Sequence, residues 1–149
     1  MSIKTWRKEF YPVSARARKA KQAPAAHSLQ KWLGLRKEAL ERHGLTLDKG
    51  SLLTERGTLV FEMDDTTCAF CAVHRDDEFE TPWERRCSKN GDPCPLIALR
   101  HGLRCYENEL RPYRLSPYDA LIIKNNPEPM IQLLQRAVRE GTEKEGRGA

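Results

Sequence analysis

Hydrophobic residues recur at helical spacing in the first third of the chain. Leu29, Trp32 and Leu33 stand at positions i, i+3 and i+4, which predicts one amphipathic helical turn. Gly34 weakens or breaks this helix, and the helical spacing resumes over residues 36–43. We therefore predict two short helices here, or one kinked helix.

Two further helices are predicted near the C-terminus, each by its starting sequence. Residues 116–119 (SPYD) offer a serine N-cap, a proline at the first helical position and an acid near the positive end of the dipole. Residues 126–128 (NPE) repeat this arrangement before a longer apolar stripe. The stripe consists of Met130, Ile131, Leu133, Leu134, Ala137 and Val138.

A different periodicity over residues 45–63 predicts strands. Residues 58–63 (TLVFEM) are rich in β-branched and aromatic residues, and turn-forming sequences occupy residues 48–50 (DKG) and 55–57 (ERG). A small antiparallel β-hairpin or meander fits this pattern, and it must pack on a helix or a metal site to be stable. The prediction is a mostly helical, single-domain α+β fold with a cysteine-rich metal-binding loop.

Length and charge refine this picture. The chain has 149 residues, the size of one ordinary domain, and a net charge of +5. No apolar run approaches the roughly 20 residues that span a bilayer, and the N-terminus lacks the apolar region of a signal peptide. We therefore expect a cytoplasmic protein that does not contact membranes.

The positive charge is concentrated at the N-terminus. Residues 1–50 carry twelve Lys/Arg and four Asp/Glu, a balance of +8, whereas residues 51–149 carry fourteen and seventeen, a balance of −3. We predict a basic, partly extended arm over residues 1–25, a cysteine-rich domain over residues 26–141 and a frayed tail over residues 142–149.

A basic arm favours an anionic partner, with nucleic acid the first candidate, although a solvated tail is the alternative interpretation. Trp6 and Tyr11 would stack on bases. The predicted phosphate contacts are Lys4, Arg7, Lys8, Arg16, Arg18, Lys19 and Lys21.

All five cysteines lie within 38 residues, from Cys68 to Cys105. An odd number of thiols in a cytoplasmic chain fits a disulfide framework poorly, and such clusters commonly bind zinc tetrahedrally. The spacing does not determine the ligands, because seven donors are available for four positions. The preferred set is Cys68, Cys71, Cys94 and Cys105, with Cys87, His74 and His101 as substitutes.

Three alternatives to zinc stay open for these cysteines. They could be reduced, buried thiols without a metal. An iron–sulfur cluster is favoured by the sequence Cys94-Pro95, since proline often follows a cluster ligand. A redox-active dithiol at Cys68 and Cys71 is disfavoured, because the intervening Ala-Phe offers no cationic group that would lower a thiol pKa.

Known catalytic motifs are missing from the sequence. It contains neither His-Glu-x-x-His nor a His-x-Glu before the Cys-x-x-Cys pair, and it has no Gly-rich phosphate loop. The four histidines are scattered along the chain, as is typical of structural residues. We therefore do not expect enzymatic activity.

Several short fragments together resemble a group of uncharacterised bacterial and phage-type small cysteine-rich proteins. They are residues 6–12 (WRKEFYP) and 27–35 (HSLQKWLGL), the Cys68/Cys71 pair, residues 94–96 (CPL), Cys105 and residues 116–118 (SPY). The resemblance covers most of the chain, implies that all five cysteines belong to one pattern, and brings no established activity. Similar sequences place the third and fourth cysteines closer together, which makes Cys87 a weaker ligand candidate.

The sequence thus leads to one functional hypothesis and two alternatives. The hypothesis is a non-enzymatic zinc-binding module that contacts nucleic acid or a nucleic-acid-associated protein. One alternative is a phage or mobile-element protein-interaction factor, an inhibitor or adaptor, that uses the acidic residues 64–65 and 76–78. The other is an iron–sulfur or redox protein.

Overall fold

Short helices and strands alternate along the chain in the computed structural model, which describes residues 2–74, 88–89 and 92–141. The helices are α1 (Ile3–Phe10), α2 (Arg18–Gln22), α3 (Pro24–Leu33), α4 (Lys37–His43), α5 (Ala69–His74), α6 (Pro95–Leu99), α7 (Pro117–Lys124) and α8 (Glu128–Arg139). The strands are β1 (Thr46–Asp48), β2 (Ser51–Leu53), β3 (Leu59–Glu62), β4 (Ser88–Lys89), β5 (Asp92–Pro93), β6 (Glu109–Leu110) and β7 (Tyr113–Arg114). Residues Asp65–Thr67 form a 3₁₀ turn.

The three longest strands form the predicted antiparallel meander, in the order β1-β2-β3. Leu52 lies opposite Leu47 on one side and Phe61 on the other, and all three side chains are buried. One face of this small sheet therefore joins the hydrophobic core, which compensates for its few strands. The pairs β4–β5 and β6–β7 are separate two-stranded hairpins.

Helix α3 is central to the core, where it packs against α5 and α8. Large apolar side chains from nearly every helix meet the buried face of the meander in one cluster. Its members include Trp6, Phe10, Trp32, Leu35, Leu52, Phe61, Phe70, Leu121, Ile131 and Leu134. The structure confirms the predicted single-domain α+β fold.

The helix boundaries near Gly34 and Ser116 follow the local signals in the sequence. Helix α3 ends before Gly34 and α4 begins at Lys37, so two short helices form as predicted. The Ser116 hydroxyl accepts a hydrogen bond from the Asp119 backbone N–H at 3.0 Å, and Pro117 is the first residue of α7. Both boundaries can be predicted from adjacent residues, the glycine that follows α3 and the Ser-Pro sequence that begins α7.

The N-terminus differs from the predicted extended arm. Residues 3–10 are helical, and the Ser2 side chain caps α1 by accepting from the Thr5 backbone N–H at 3.3 Å. Trp6 is 0% exposed, and its indole Nε1–H donates to the Gly34 carbonyl at 2.9 Å. The physical reason is that Trp6 and Phe10 stand one helical turn apart and bury a shared apolar face in the core.

Across the described segments, no helix combines the length and the apolarity that crossing a membrane requires.

Candidate metal centre and basic surface

Cys68 and Cys71 form a thiol pair at the start of α5. The Cys68 carbonyl accepts the Ala72 backbone N–H at 3.0 Å, which brings Cys71 back over the preceding turn. A hydrogen bond from the Cys71 thiol lowers the pKa of Cys68 to about 6, and the positive charge of Lys31 contributes in the same direction, against the effect of burial. The buried side chains of Ala69 and Phe70 fix this turn in the core.

Lys31 is the unexpected member of this site. Its side chain projects from α3 and is only 1% exposed, and its ammonium donates to the Thr67 carbonyl oxygen, next to Cys68. Burial lowers the pKa of Lys31, whereas Cys68, Cys71, Asp64 and Cys105 raise it through their negative charge. A buried ammonium thus lies in the electrostatic field of three thiols.

Tyr118 links α7 to the segments on either side of the thiol pair. Its hydroxyl donates to the Met63 carbonyl at 2.7 Å, and its backbone N–H donates to the Cys105 carbonyl at 3.1 Å. Burial raises the pKa of Tyr118 to about 12, with further contributions from Asp64, Cys105 and Cys71. The start of α7 is therefore hydrogen-bonded both to the loop that carries Cys105 and to Met63, just after β3.

The other predicted ligands differ in burial. Cys94, directly before α6, is buried in the hydrophobic cluster against which Cys68 and Cys105 also pack, and His74 is buried at the end of α5. His101 is exposed, in a left-handed backbone conformation with φ 56°. Cys87 lies outside the described residues.

Within residues 2–74, 88–89 and 92–141, no three His, Cys, Asp or Glu side chains are close enough to hold a metal ion by themselves. A tetrahedral site built on Cys68 and Cys71 would draw its remaining ligands from Cys94, Cys105 and Cys87. Four thiolates around Zn²⁺ carry a net charge of −2, and such a charge is costly to bury unless a cation lies nearby. The Lys31 ammonium is suited to that role.

Lys31 is not predicted as a site residue from the sequence, yet it provides the cationic group that a redox-active dithiol requires. The sequence disfavours the dithiol alternative because no cationic group lies between Cys68 and Cys71. In the fold, the Lys31 ammonium is such a group, although Lys31 lies 36 residues before its hydrogen-bond acceptor Thr67. No local signal marks Lys31, since lysine is normally exposed and its burial here depends on the packing of α3 against α5.

All seven basic residues predicted to contact phosphates are exposed. Lys4 and Lys8 lie on α1 opposite the buried Trp6 and Phe10, and Arg16 precedes α2. Arg7 flanks the buried face, and its guanidinium lies 5.3 Å from the centroid of the Phe61 ring. Nowhere in the described part of the chain does one of the seven form a salt bridge.

Glu9 is the single acidic residue among the first 25, and other elements neutralise it. Its carboxylate oxygens lie 2.8 Å from an Arg42 guanidinium nitrogen and 2.7 Å from His43 Nε2. Hydrogen bonds from Arg42 and then His43 lower the pKa of Glu9. The surface formed by residues 4–21, hereafter the basic surface, therefore carries positive charge that no carboxylate in the described segments compensates.

The predicted stacking residues are not available for bases. Trp6 is enclosed in the core, with its ring centroid 5.0 Å from that of Phe61. Tyr11 is half-buried: its ring centroid lies 4.9 Å from that of Phe61, and its hydroxyl accepts from the Ala15 backbone N–H at 2.9 Å. The prediction that Trp6 and Tyr11 stack on bases is corrected by these contacts, because both rings are used within the fold.

No protein-family model, curated protein or solved structure matches this chain. The resemblance to small cysteine-rich bacterial and phage-type proteins therefore stays a hypothesis.

Proposed function

We propose that the protein is a non-enzymatic, zinc-stabilised module that contacts nucleic acid through its basic surface. The observation that carries the proposal is the exposure of seven cationic side chains within residues 4–21, where Glu9 is already neutralised. Nucleic acids attract such surfaces because each neutralised phosphate releases condensed counterions. Helices α1 and α2 hold six of these seven residues on a folded backbone, so binding has to order only their side chains.

Removing charge from α2 tests the nucleic-acid contact. The triple variant Arg18→Ala, Lys19→Ala and Lys21→Ala should bind duplex DNA more weakly at low salt. The slope of log K against log salt should fall by about 0.9 for each phosphate that the variant no longer neutralises. Fluorescence anisotropy across a salt series measures both quantities.

A matched control removes the same total charge elsewhere, at the exposed residues Arg56, Lys124 and Arg139. Equal weakening in the two triple variants would indicate a nonspecific effect of net charge. No binding by the wild-type protein at low salt would contradict the nucleic-acid proposal.

The metal part of the proposal is supported by the Cys68/Cys71 pair and the adjacent buried ammonium. Elemental analysis of anaerobically purified protein, with a visible spectrum, separates the alternatives. About one zinc per chain in a colourless protein supports the structural site. Iron with sulfide supports the iron–sulfur alternative. A metal-free protein that forms a disulfide between Cys68 and Cys71 on mild oxidation supports the redox alternative.

Lys31→Met tests whether the buried ammonium supports the thiol site. With zinc bound, the variant should lose roughly 10–100-fold in zinc affinity, as is typical when a residue that supports metal ligands is replaced. After zinc is removed, the variant should be less stable than the wild type, because the Cys68 thiol loses its neighbouring cation and the Thr67 carbonyl oxygen loses its donor. Competition with a chromophoric chelator and thermal melting measure the two effects.

The exposed Lys37→Met on α4 is the control for this experiment and should change neither quantity. If Lys31→Met leaves zinc affinity unchanged, Lys31 does not balance the charge of the thiolates.

The protein-interaction alternative has less support in the fold. Asp64 is engaged locally, since its carboxylate accepts the Thr66 backbone N–H at 2.9 Å. Residues 76–78 lie outside the described residues. That alternative stays a hypothesis, testable by charge reversal at these positions in pull-down experiments.

A further inference from the structure

A second exposed surface lies on the β6–β7 hairpin, far along the chain from the basic surface. Among the described residues, five large hydrophobic side chains are markedly exposed, and three of them fall within residues 106–113. Leu110 is 78% exposed and Tyr113 64%, and the two are direct partners in the hairpin. Tyr106, at 43%, precedes them. An exposed apolar and aromatic cluster of this kind marks a contact surface.

Arginine accompanies these side chains. Arg111 and Arg114 are exposed on the hairpin, and neither forms an ion pair with any described residue. The Arg104 guanidinium lies 5.9 Å from the centroid of the Tyr106 ring. Glu107, by contrast, is paired with Arg104 at 3.8 Å. Glu109 lies opposite Arg114 in the register of the hairpin, so the excess positive charge at the tip comes from Arg111, and it favours an anionic partner.

The base of the hairpin is fixed to the rest of the fold. The Asn108 side-chain oxygen accepts the Ser116 backbone N–H at 2.7 Å, which ties the hairpin to the cap of α7. The Arg100 guanidinium, at the end of α6, donates to the Glu107 carbonyl at 2.9 Å and to the Arg104 carbonyl. The exposed rings are thus presented from a braced support, so little order has to be gained on binding.

We propose that the β6–β7 hairpin binds single-stranded nucleic acid, with Tyr113 stacking on an unpaired base and Arg111 and Arg114 contacting the adjacent phosphates. Sequence-tolerant single-strand binders combine exposed aromatic rings with cationic side chains in this way. Leu110 extends the apolar platform beside Tyr113. The inference rests on the proposed nucleic-acid function and replaces Trp6 and Tyr11 as the stacking residues.

The test compares a fluorescently labelled single strand of about 15 nucleotides with its duplex, both at low salt. Tyr113→Ala should weaken single-strand binding by about 5- to 150-fold, the effect expected for one base–aromatic stack, and should leave duplex binding largely unchanged. Tyr113→Phe keeps the ring and removes the hydroxyl that contacts Asn108, so it should bind as the wild type does. Leu59→Ala, at a 51% exposed residue on β3, is the matched control and should have no effect.

The possible failures are distinguishable. If Tyr113→Ala binds the single strand as tightly as the wild type, the hairpin inference is overturned, while weaker binding by the α2 triple variant still supports the proposed function. If Tyr113→Ala weakens single-strand and duplex binding equally, base stacking is overturned. If the wild type binds neither nucleic acid, the proposed function itself fails.

Discussion

For the proposed zinc site, we expect Cys68→Ser to release the metal and sharply lower the thermal stability of the domain. Removing one thiolate from a tetrahedral site abolishes tight binding, and structural zinc contributes about 10–16 kcal/mol in small zinc-finger peptides. A contribution even approaching that size is comparable with the whole stability of a typical domain, about 5–15 kcal/mol. Zinc content by elemental analysis and the midpoint of thermal unfolding check this expectation.

A chelator shows whether the destabilisation acts through the metal. Treatment of the wild type with a strong chelator should reproduce the lower thermal stability, whereas Cys68→Ser should no longer respond to the chelator. Val73→Ala, a half-buried residue on the same helix α5, should keep its zinc and its response to the chelator. If the chelator leaves the wild type unchanged, zinc does not support this fold and the metal proposal is wrong.

Trp6→Ala will destabilise the protein by about 3–5 kcal/mol, the usual cost of truncating a buried aromatic residue. The variant leaves a cavity beside Phe10 and Phe61, and it removes the donor for the buried Gly34 carbonyl. Denaturation in urea or guanidinium, monitored by circular dichroism, gives the change in the free energy of unfolding.

Two companion variants locate the origin of that effect. Trp6→Phe keeps most of the apolar volume and should cost less than Trp6→Ala. Lys4→Ala, on the exposed face of the same helix α1, should change the free energy of unfolding by no more than about 0.5 kcal/mol. A small effect of Trp6→Ala would mean that residues 1–25 form the extended arm that their composition suggests.

The parts of the fold that are predictable depend on local backbone chemistry. The break at Gly34, the start of α7 at Ser116-Pro117 and the antiparallel meander each follow from a few adjacent residues. Their signals need no knowledge of distant packing, so sequence alone is sufficient for them.

Other features depend on residues far apart in the chain and could not be foreseen. Trp6 and Phe10 stand at helical spacing, but the charged residues around them favour a solvated segment. Their burial depends on close packing against Gly34, which is distant in the sequence. Lys31 becomes part of the thiol site because α3 and α5 pack together. The β6–β7 hairpin has strands of two residues, too short for any periodicity to appear.

Gly34 also makes the residue allowed after α3 depend on the aromatic residues of α1. Its φ of −69° is open to any residue, so glycine is required there by space rather than by backbone conformation. A Cβ atom at this position would lie 2.6 Å from Phe10 Cγ and 2.7 Å from Trp6 Nε1, closer than van der Waals contact permits. A larger residue at position 34 is therefore compatible with this fold only if the aromatic pair on α1 changes with it, so the three positions form one unit of coupled substitution.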